Sequence, residues 1–288
     1  MRNERQLASE TRANYRWRLE RHLLPFFAAM RLDEITFDLV ERYIATKLAE
    51  DEPLSACSIN MTVTLLGAIL EGAVERDLIR RNPARGRGRR VRERTPQRSY
   101  LETAAQIEAL LDAAGELDRE AREDRRHIER RAMLATLTFA GLRIGELCSL
   151  RWSDVDLDAC WLRVGESKTD AGRRRVKIRG ALAQELAAVR DRQASPDIGG
   201  YVFPTSRGER QSEDNIRSRV VRPAVVRANE NLAAQKLPPL PERLTPHSLR
   251  RTFASVLYAI GEDPGVVMDE MGHTDPGLAL RVYRQAMR

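Results

Sequence analysis

The chain has 288 residues, 42% hydrophobic and 32% charged, enough for one large domain or two ordinary ones. No run approaches 18 consecutive apolar residues and the polar N-terminus has no signal-peptide apolar stretch, so the expectation is a cytoplasmic protein without a transmembrane helix or membrane partner. The formal net charge of +7 is unevenly placed: residues 80–98 hold nine arginines and one acid, whereas 1–79 carry a net −3 and 99–288 a net +2.

In chain order, residues 9–24 place Tyr15, Leu19 and Leu23 at four-residue spacing, a helical stripe. Thr36 reads as the N-cap of a helix over 37–49 with Val40, Ile44 and Leu48 inward. Ser55 or Ser58 opens a longer helix to about Val74, with Leu65, Ile69 and Val74 among its apolar positions, and a short piece from Arg76 to Arg81 stops at Asn82-Pro83. Residues 1–83 thus form an all-helical unit. Residues 84–99, rich in Arg and Gly with no apolar period, read as a basic linker suited to sequence-independent phosphate contact through Arg85, Arg87, Arg89, Arg90, Arg92 and Arg94.

Residues 100–288 form the second unit. Helices are expected over 106–114, 127–140 (breaking at Gly141) and about 143–150. Val155-Asp-Leu, Cys160–Val164 and Arg175–Ile178 then read as a three-stranded antiparallel sheet, followed by helices over 181–193 and 212–232. Thr245-Pro246, Asp263-Pro264 and Asp275-Pro276 each set a capping side chain before a proline, so helices start at 246, 264 and 276, the first two ending near Gly261 and Gly272. The three cysteines (Cys57, Cys148, Cys160) are too few and scattered for a disulfide framework or zinc site and read as small buried hydrophobes. Lysine is scarce, with only Lys47, Lys168, Lys177 and Lys236, which narrows the candidates for any step needing an amine.

Two segments concentrate chemistry. In Thr245-Pro-His247-Ser-Leu-Arg250, His247 and Arg250 lie about 60° apart on one helix face, opposite a core side of Leu249, Phe253, Val256 and Ile260. A capped helix N-terminus favours an anion, a guanidinium adds a bidentate phosphate clamp, and histidine adds a proton handle. In Ala140-Gly-Leu-Arg143-Ile-Gly-Glu146, the arginine sits where one helix breaks and another begins, and Glu146 at i+3 can hold its side chain.

Taken together, the strings AGLRIGEL, LTPHSLRRTFAS, MGHTDP and LRVY, in that order, resemble the tyrosine recombinase (phage integrase) family over nearly the whole chain. The resemblance implies a mainly α fold with a small antiparallel β-sheet: an N-terminal helical core-binding domain and a mixed α/β catalytic domain. It implies site-specific DNA strand cleavage and rejoining through a 3′-phosphotyrosyl link, without metal, ATP or cofactor. Tyr283 matches the nucleophile, Arg143 and Arg250 the phosphate-clamping arginines, and His247 and His273 the residues that assist proton transfer and bind the scissile phosphate. Lys168, in the turn between the second and third strands, matches the lysine that protonates the leaving 5′ oxygen, with Lys177 a weaker fit. His22 and His127 read as surface or interdomain residues. The implied partners are double-stranded DNA at two recombination sites, a tetramer of this chain on DNA, and accessory directionality or DNA-bending proteins.

A type IB topoisomerase-like relaxase and a non-catalytic DNA-binding relative are the rival readings. The basic linker between two units favours a recombinase over the first, and the intact set of site residues argues against the second. Five residues follow Tyr283 and eight precede Ser9, so the sequence given holds neither the longer C-terminal segment nor the arm-binding domain that many relatives carry.

Overall fold

A computed structural model describes residues 9–86, 89–93, 99–125, 127–165, 173–193 and 197–272. The chain divides into two compact units, Met1–Pro96 and Gln97–Arg288.

In the first unit, α1 (Ser9–Arg18) runs through a π turn, Leu19–Leu23, into α2 (Leu24–Phe27). Pro25 lies just after that turn, where its missing N–H would leave the regular i→i−4 ladder one bond short. Helix α3 (Phe37–Leu48) is capped by Thr36, whose hydroxyl accepts from Leu39 N. Helix α4 (Ala56–Val74) is capped by Ser55, which accepts from Ser58 N. The caps fall where the sequence places them, but the buried stripes are rotated. In α3 the core face is Val40, Tyr43 and Lys47, leaving Leu48 exposed, and in α4 it is Ile59, Val63, Leu66, Leu70 and Ala73 rather than the line through Ile69. Tyr15 is also exposed, so only Leu23 of its trio is fully inside. In a helix this apolar, neighbouring stripes compete and packing partners choose between them.

By length and composition α4 could cross a bilayer, with a mean hydropathy of 1.5, although it carries Ser58, Asn60, Thr62, Thr64 and Glu71. Half of that stretch is buried inside the unit, as in a core helix.

Residues 76–81 form a turn and then bends rather than a helical piece. The segment read as a free linker is, where described, fastened to α4. Asn82 donates to Gly67 O (2.7 Å) and Glu71 Oε2 (2.8 Å), and Ala84 is buried in the core. Asn60 holds Val91 by both backbone groups, accepting from its N–H at 2.8 Å and donating to its carbonyl at 2.9 Å. Asn60 also donates to Glu93 (2.7 Å).

The second unit is built on α5 (Ala104–Arg119), α6 (Arg130–Phe139), α7 (Ile144–Ser149), β1 (Val155–Asp156), β2 (Trp161–Val164), β3 (Arg174–Lys177), α8 (Gly180–Arg192), α9 (Glu213–Ile216), α10 (Arg222–Ala234), α11 (Pro246–Ala259) and α12 (Pro264–Met271). The sheet is antiparallel in the order β1-β2-β3, with Leu162 opposite Val176 and Val164 opposite Arg174. Leu162, Val164 and Val176 face the core with Leu134, Leu137, Leu182, Leu249 and Phe253. A second π turn, Arg217–Val221, joins α9 to α10. Pro223 cannot donate to Arg219 O, and that carbonyl instead accepts from buried Arg130 Nε at 3.1 Å.

Thr245 and Asp263 cap α11 and α12, each with proline in the first turn, while Gly261 (φ 83°) and Gly272 (φ 59°) follow their ends. The helix expected from 276 lies outside the described residues. Of the cysteines only Cys148 is buried; Cys57 is exposed and Cys160 half-buried.

Candidate active site

The site begins at the break after α6. Gly141 takes φ 58°, and a Cβ there would lie 2.2 Å from Phe253 Cδ1, so both backbone and packing require glycine. The turn puts Arg143 at the N-cap of α7. Its backbone N–H donates to Glu146 Oε2 (2.8 Å) and its guanidinium to Glu146 Oε1 (2.7 Å), so one carboxylate caps the helix and aims the arginine. Arg143 keeps 45% of its side chain exposed while Glu146 keeps 7%.

Arg250 differs from the sequence reading. It does not project beside His247: it is 2% exposed, its guanidinium inserted beneath the loop and donating to Gly141 O and Met271 O. His247, one turn earlier on α11, is exposed. Ile260, assigned to the core side, is 59% exposed, because it lies at the C-cap where the helix has left the core. A helical wheel gives direction but not depth: a long arginine on the polar face can thread under a neighbouring element.

The sequence reading missed Arg174. This β3 side chain is 4% exposed and forks onto both Glu146 oxygens, at 3.0 and 2.8 Å, while its Nε donates to Glu270 O at 2.7 Å. Strand alternation carries the signal: Arg174 shares a face with buried Val176, and an arginine on a buried face needs a carboxylate. Lys177 alternates onto the exposed face.

Three guanidinium groups meet the C-terminus of α12. Arg174 reaches Glu270 O, Arg250 reaches Met271 O, and Arg143 reaches Gly272 O at 3.4 Å. These are carbonyls that the end of a helix leaves unpaired, and they carry its partial negative charge. Farther along, the Glu270 carboxylate takes two bonds from Arg179, at 3.0 and 3.2 Å, tying α12 to the start of α8.

The electrostatics follow from burial. Burial works to raise the Glu146 carboxyl, but hydrogen bonds and charge from Arg174, then Arg143, outweigh it and hold it at about 2. Burial, then repulsion from Arg174 and Arg143, push Arg250 down to about 9, opposed by Glu146. Among the described residues, Arg143 and Arg174 thus share the Glu146 carboxylate while Arg250, bonded to carbonyls, feels its charge, an arrangement that favours binding an anion.

Of the remaining sequence-assigned residues, Lys168, His273, Tyr283, Arg87 and Arg94 lie outside the described residues. Arg85, Arg90 and Arg92 are exposed, with Arg85 in an ion pair to Glu71 at 3.1 Å. Arg89 is half-buried, its guanidinium 4.1 Å above the Phe37 ring and its Nε donating to Pro83 O at 2.7 Å. It is therefore an anchor for the segment. His22 is tucked edge-on against Trp17, with ring centroids 4.5 Å apart.

Residues 102–288 match the model of the phage integrase family, and residues 1–89 that of the phage integrase SAM-like domain. The chain belongs to the phage integrase family. It is a tyrosine-type site-specific recombinase, an enzyme that cleaves and rejoins DNA strands. It is similar to the prophage phiRv2 integrase of Mycobacterium tuberculosis, 28% identical over 98% of this chain and 72% of that protein. An integrase of Streptomyces ambofaciens is 26% identical over 93% of this chain and 69% of its own length. In fold, the chain resembles the integrase of transposon Tn1549, solved in complex with transposon right end DNA (TM-score 0.78, 21% identity, 98% of this chain and 91% of that one). The two rival readings are not favoured.

Proposed function

We propose that the chain cuts one strand of duplex DNA at its recombination site by attack of the Tyr283 phenolate on the scissile phosphate, with Arg143 and Arg250 binding its non-bridging oxygens. The observation that carries this reading is the excess of guanidinium charge around Glu146, with Arg143 open beside buried Arg250. A phosphodiester supplies such an anion, and the same donors stabilise charge that grows on its oxygens in the transition state.

A phenol with a pKa near 10 needs roughly 4 kcal/mol to ionise at neutral pH. His247 and His273 accept or share its proton. The Tyr283 Oη–P bond forms as the P–O5′ bond breaks, and Lys168 gives a proton to the departing 5′ oxygen. The 3′-phosphotyrosyl ester conserves the bond energy, so the reverse attack by a 5′ hydroxyl rejoins the strand. Glu146 touches no DNA and acts by orienting Arg143.

Residues 84–99 follow the phosphate backbone through exposed arginines, Arg90 and Arg92 among them. The domains are 1–83, a core-binding unit, and 100–288, the catalytic unit. A tetramer joins two duplex sites in the cytoplasm, on the nucleoid, with accessory proteins that bend DNA or set direction.

The test uses a duplex selected from a random library for binding to the wild-type chain, then nicked on one strand. Wild type traps it as an adduct that survives denaturation, and Tyr283→Phe binds equally but traps none. Trapping by Tyr283→Phe refutes the nucleophile, and no trapping by either protein on a bound duplex refutes the cleavage mechanism.

A further inference from the structure

We propose that Arg174 is a positioning residue for strand cleavage: through the Glu146 carboxylate it fixes the Arg143 guanidinium, and through Glu270 O it fixes that assembly to the end of α12. The inference rests on the site proposed above.

Each Glu146 oxygen serves two donors. Oε1 accepts from Arg143 at 2.7 Å and from Arg174 at 3.0 Å; Oε2 accepts from the Arg143 backbone N–H and from Arg174, both at 2.8 Å. Without Arg174, the described hydrogen bonds to the carboxylate would come only from Arg143 at the start of its own helix, and the carboxylate could rotate about its side-chain bonds. With it, the carboxylate plane is fixed by a fork from β3, an element separate from α7 in the chain.

A further bond, from Nε to Glu270 O, joins β3 to α12. The residue after Gly272 in the sequence is His273, so this bond also braces the point from which that histidine departs. Only a planar guanidinium spans a carboxylate and a separate carbonyl in this way; a lysine ammonium is a point donor on a flexible stem. Arg174 itself is too buried to be the group that first meets a phosphate, which separates its role from that of Arg143.

A structural ion pair and a positioning residue differ in their pH behaviour. Among the described residues, the charged groups that act on Glu146 are Arg143 from its own helix, Arg174 from β3 and Arg250 from α11. Removing Arg174 leaves burial, which favours the neutral acid, opposed chiefly by Arg143. The Glu146 carboxyl then titrates at a higher pH, and protonation releases Arg143. Cleavage by Arg174→Met should fall as pH falls through that raised value, whereas wild type, with the carboxyl held at about 2, shows no such limb.

The experiment measures single-turnover adduct formation on the selected, nicked duplex at saturating DNA, from about pH 5 to about pH 8. The proteins are wild type, Arg174→Lys, Arg174→Met, Glu146→Gln and the Arg174→Met/Glu146→Gln double variant, with Tyr283→Phe as the adduct control. Arg174→Met should cleave about tenfold to a hundredfold more slowly near neutral pH while binding DNA within about twofold of wild type. Its deficit should widen on acidification. Arg174→Lys should fall between the two. The double variant should be no slower than Glu146→Gln, which should show no added acid limb.

A wild-type rate and pH profile for Arg174→Met would overturn the proposal, as would equal loss at every pH or independent effects of the two substitutions. If Arg174→Met does not fold, Arg174→Lys carries the test, and an unchanged rate in that variant overturns the proposal. Lack of a wild-type adduct overturns the proposed site and this inference with it. A wild-type adduct with an unaffected Arg174 variant overturns this inference alone.

Discussion

Replacing Glu146 by Gln should remove one of the larger electrostatic contributions to the stability of the second unit. The carboxyl is held at about 2 against an ordinary 4.5, so its charged form is favoured in the folded chain. That difference corresponds to about 3 kcal/mol at neutral pH, similar to the cost of leaving one partner of a buried ion pair uncompensated. The partner left behind is Arg174, with a side chain 4% exposed. Glutamine keeps the size but turns an amide N–H₂ toward one of the guanidinium groups.

The sign of the pH dependence follows from the lowered value. The contribution is fully present above the unfolded carboxyl's pKa and is lost as pH falls toward the folded one. The gap between wild type and Glu146→Gln should shrink to about 1.5 kcal/mol by roughly pH 3. Urea unfolding at several pH values, followed by tryptophan fluorescence and far-UV circular dichroism, measures it. A gap under about 1 kcal/mol at neutral pH, or one that stays constant on acidification, would refute the reasoning.

Three further outcomes follow from the geometry. Gly141→Ala drives a Cβ into Phe253 at a left-handed φ, so thermal unfolding should report a loss of about 2–4 kcal/mol. Cleavage should suffer more than DNA binding, because the same residue's carbonyl receives Arg250. In the basic segment, Arg90 and Arg92 changed together to Ala should weaken binding to all duplexes alike and lower the salt slope by about two. Asn60→Ala, which unties Val91, should lower affinity while leaving that slope unchanged; a loss restricted to one DNA sequence would count against both expectations.

The local signals were legible in the sequence because they act over a few residues. Thr36, Ser55, Thr245 and Asp263 cap helices because a side-chain oxygen can meet a free N–H within three positions. The three short strands and their antiparallel order follow from β-forming runs separated by turn residues. The bond between Arg143 and Glu146 was legible for the same reason, as an i, i+3 pair at a helix start. The buried stripes of α3 and α4 were not, because several apolar lines run along each helix and neighbouring elements select one.

What the sequence alone determined is the positions of the helix caps, the strand order, the family motifs and the crowding of arginine into residues 80–98. The tertiary structure decided what those arginines do. Where described, the basic segment is fastened to α4 through Asn60 and Asn82, and Arg89 is an anchor against Phe37. Arg250 is buried and Arg143 open, and Arg174, far from both in sequence, shares their carboxylate. The physical reason is that a charge on a long side chain takes its role from the dielectric and the partners at its tip. Those are supplied by elements remote in the chain, which no local spacing encodes.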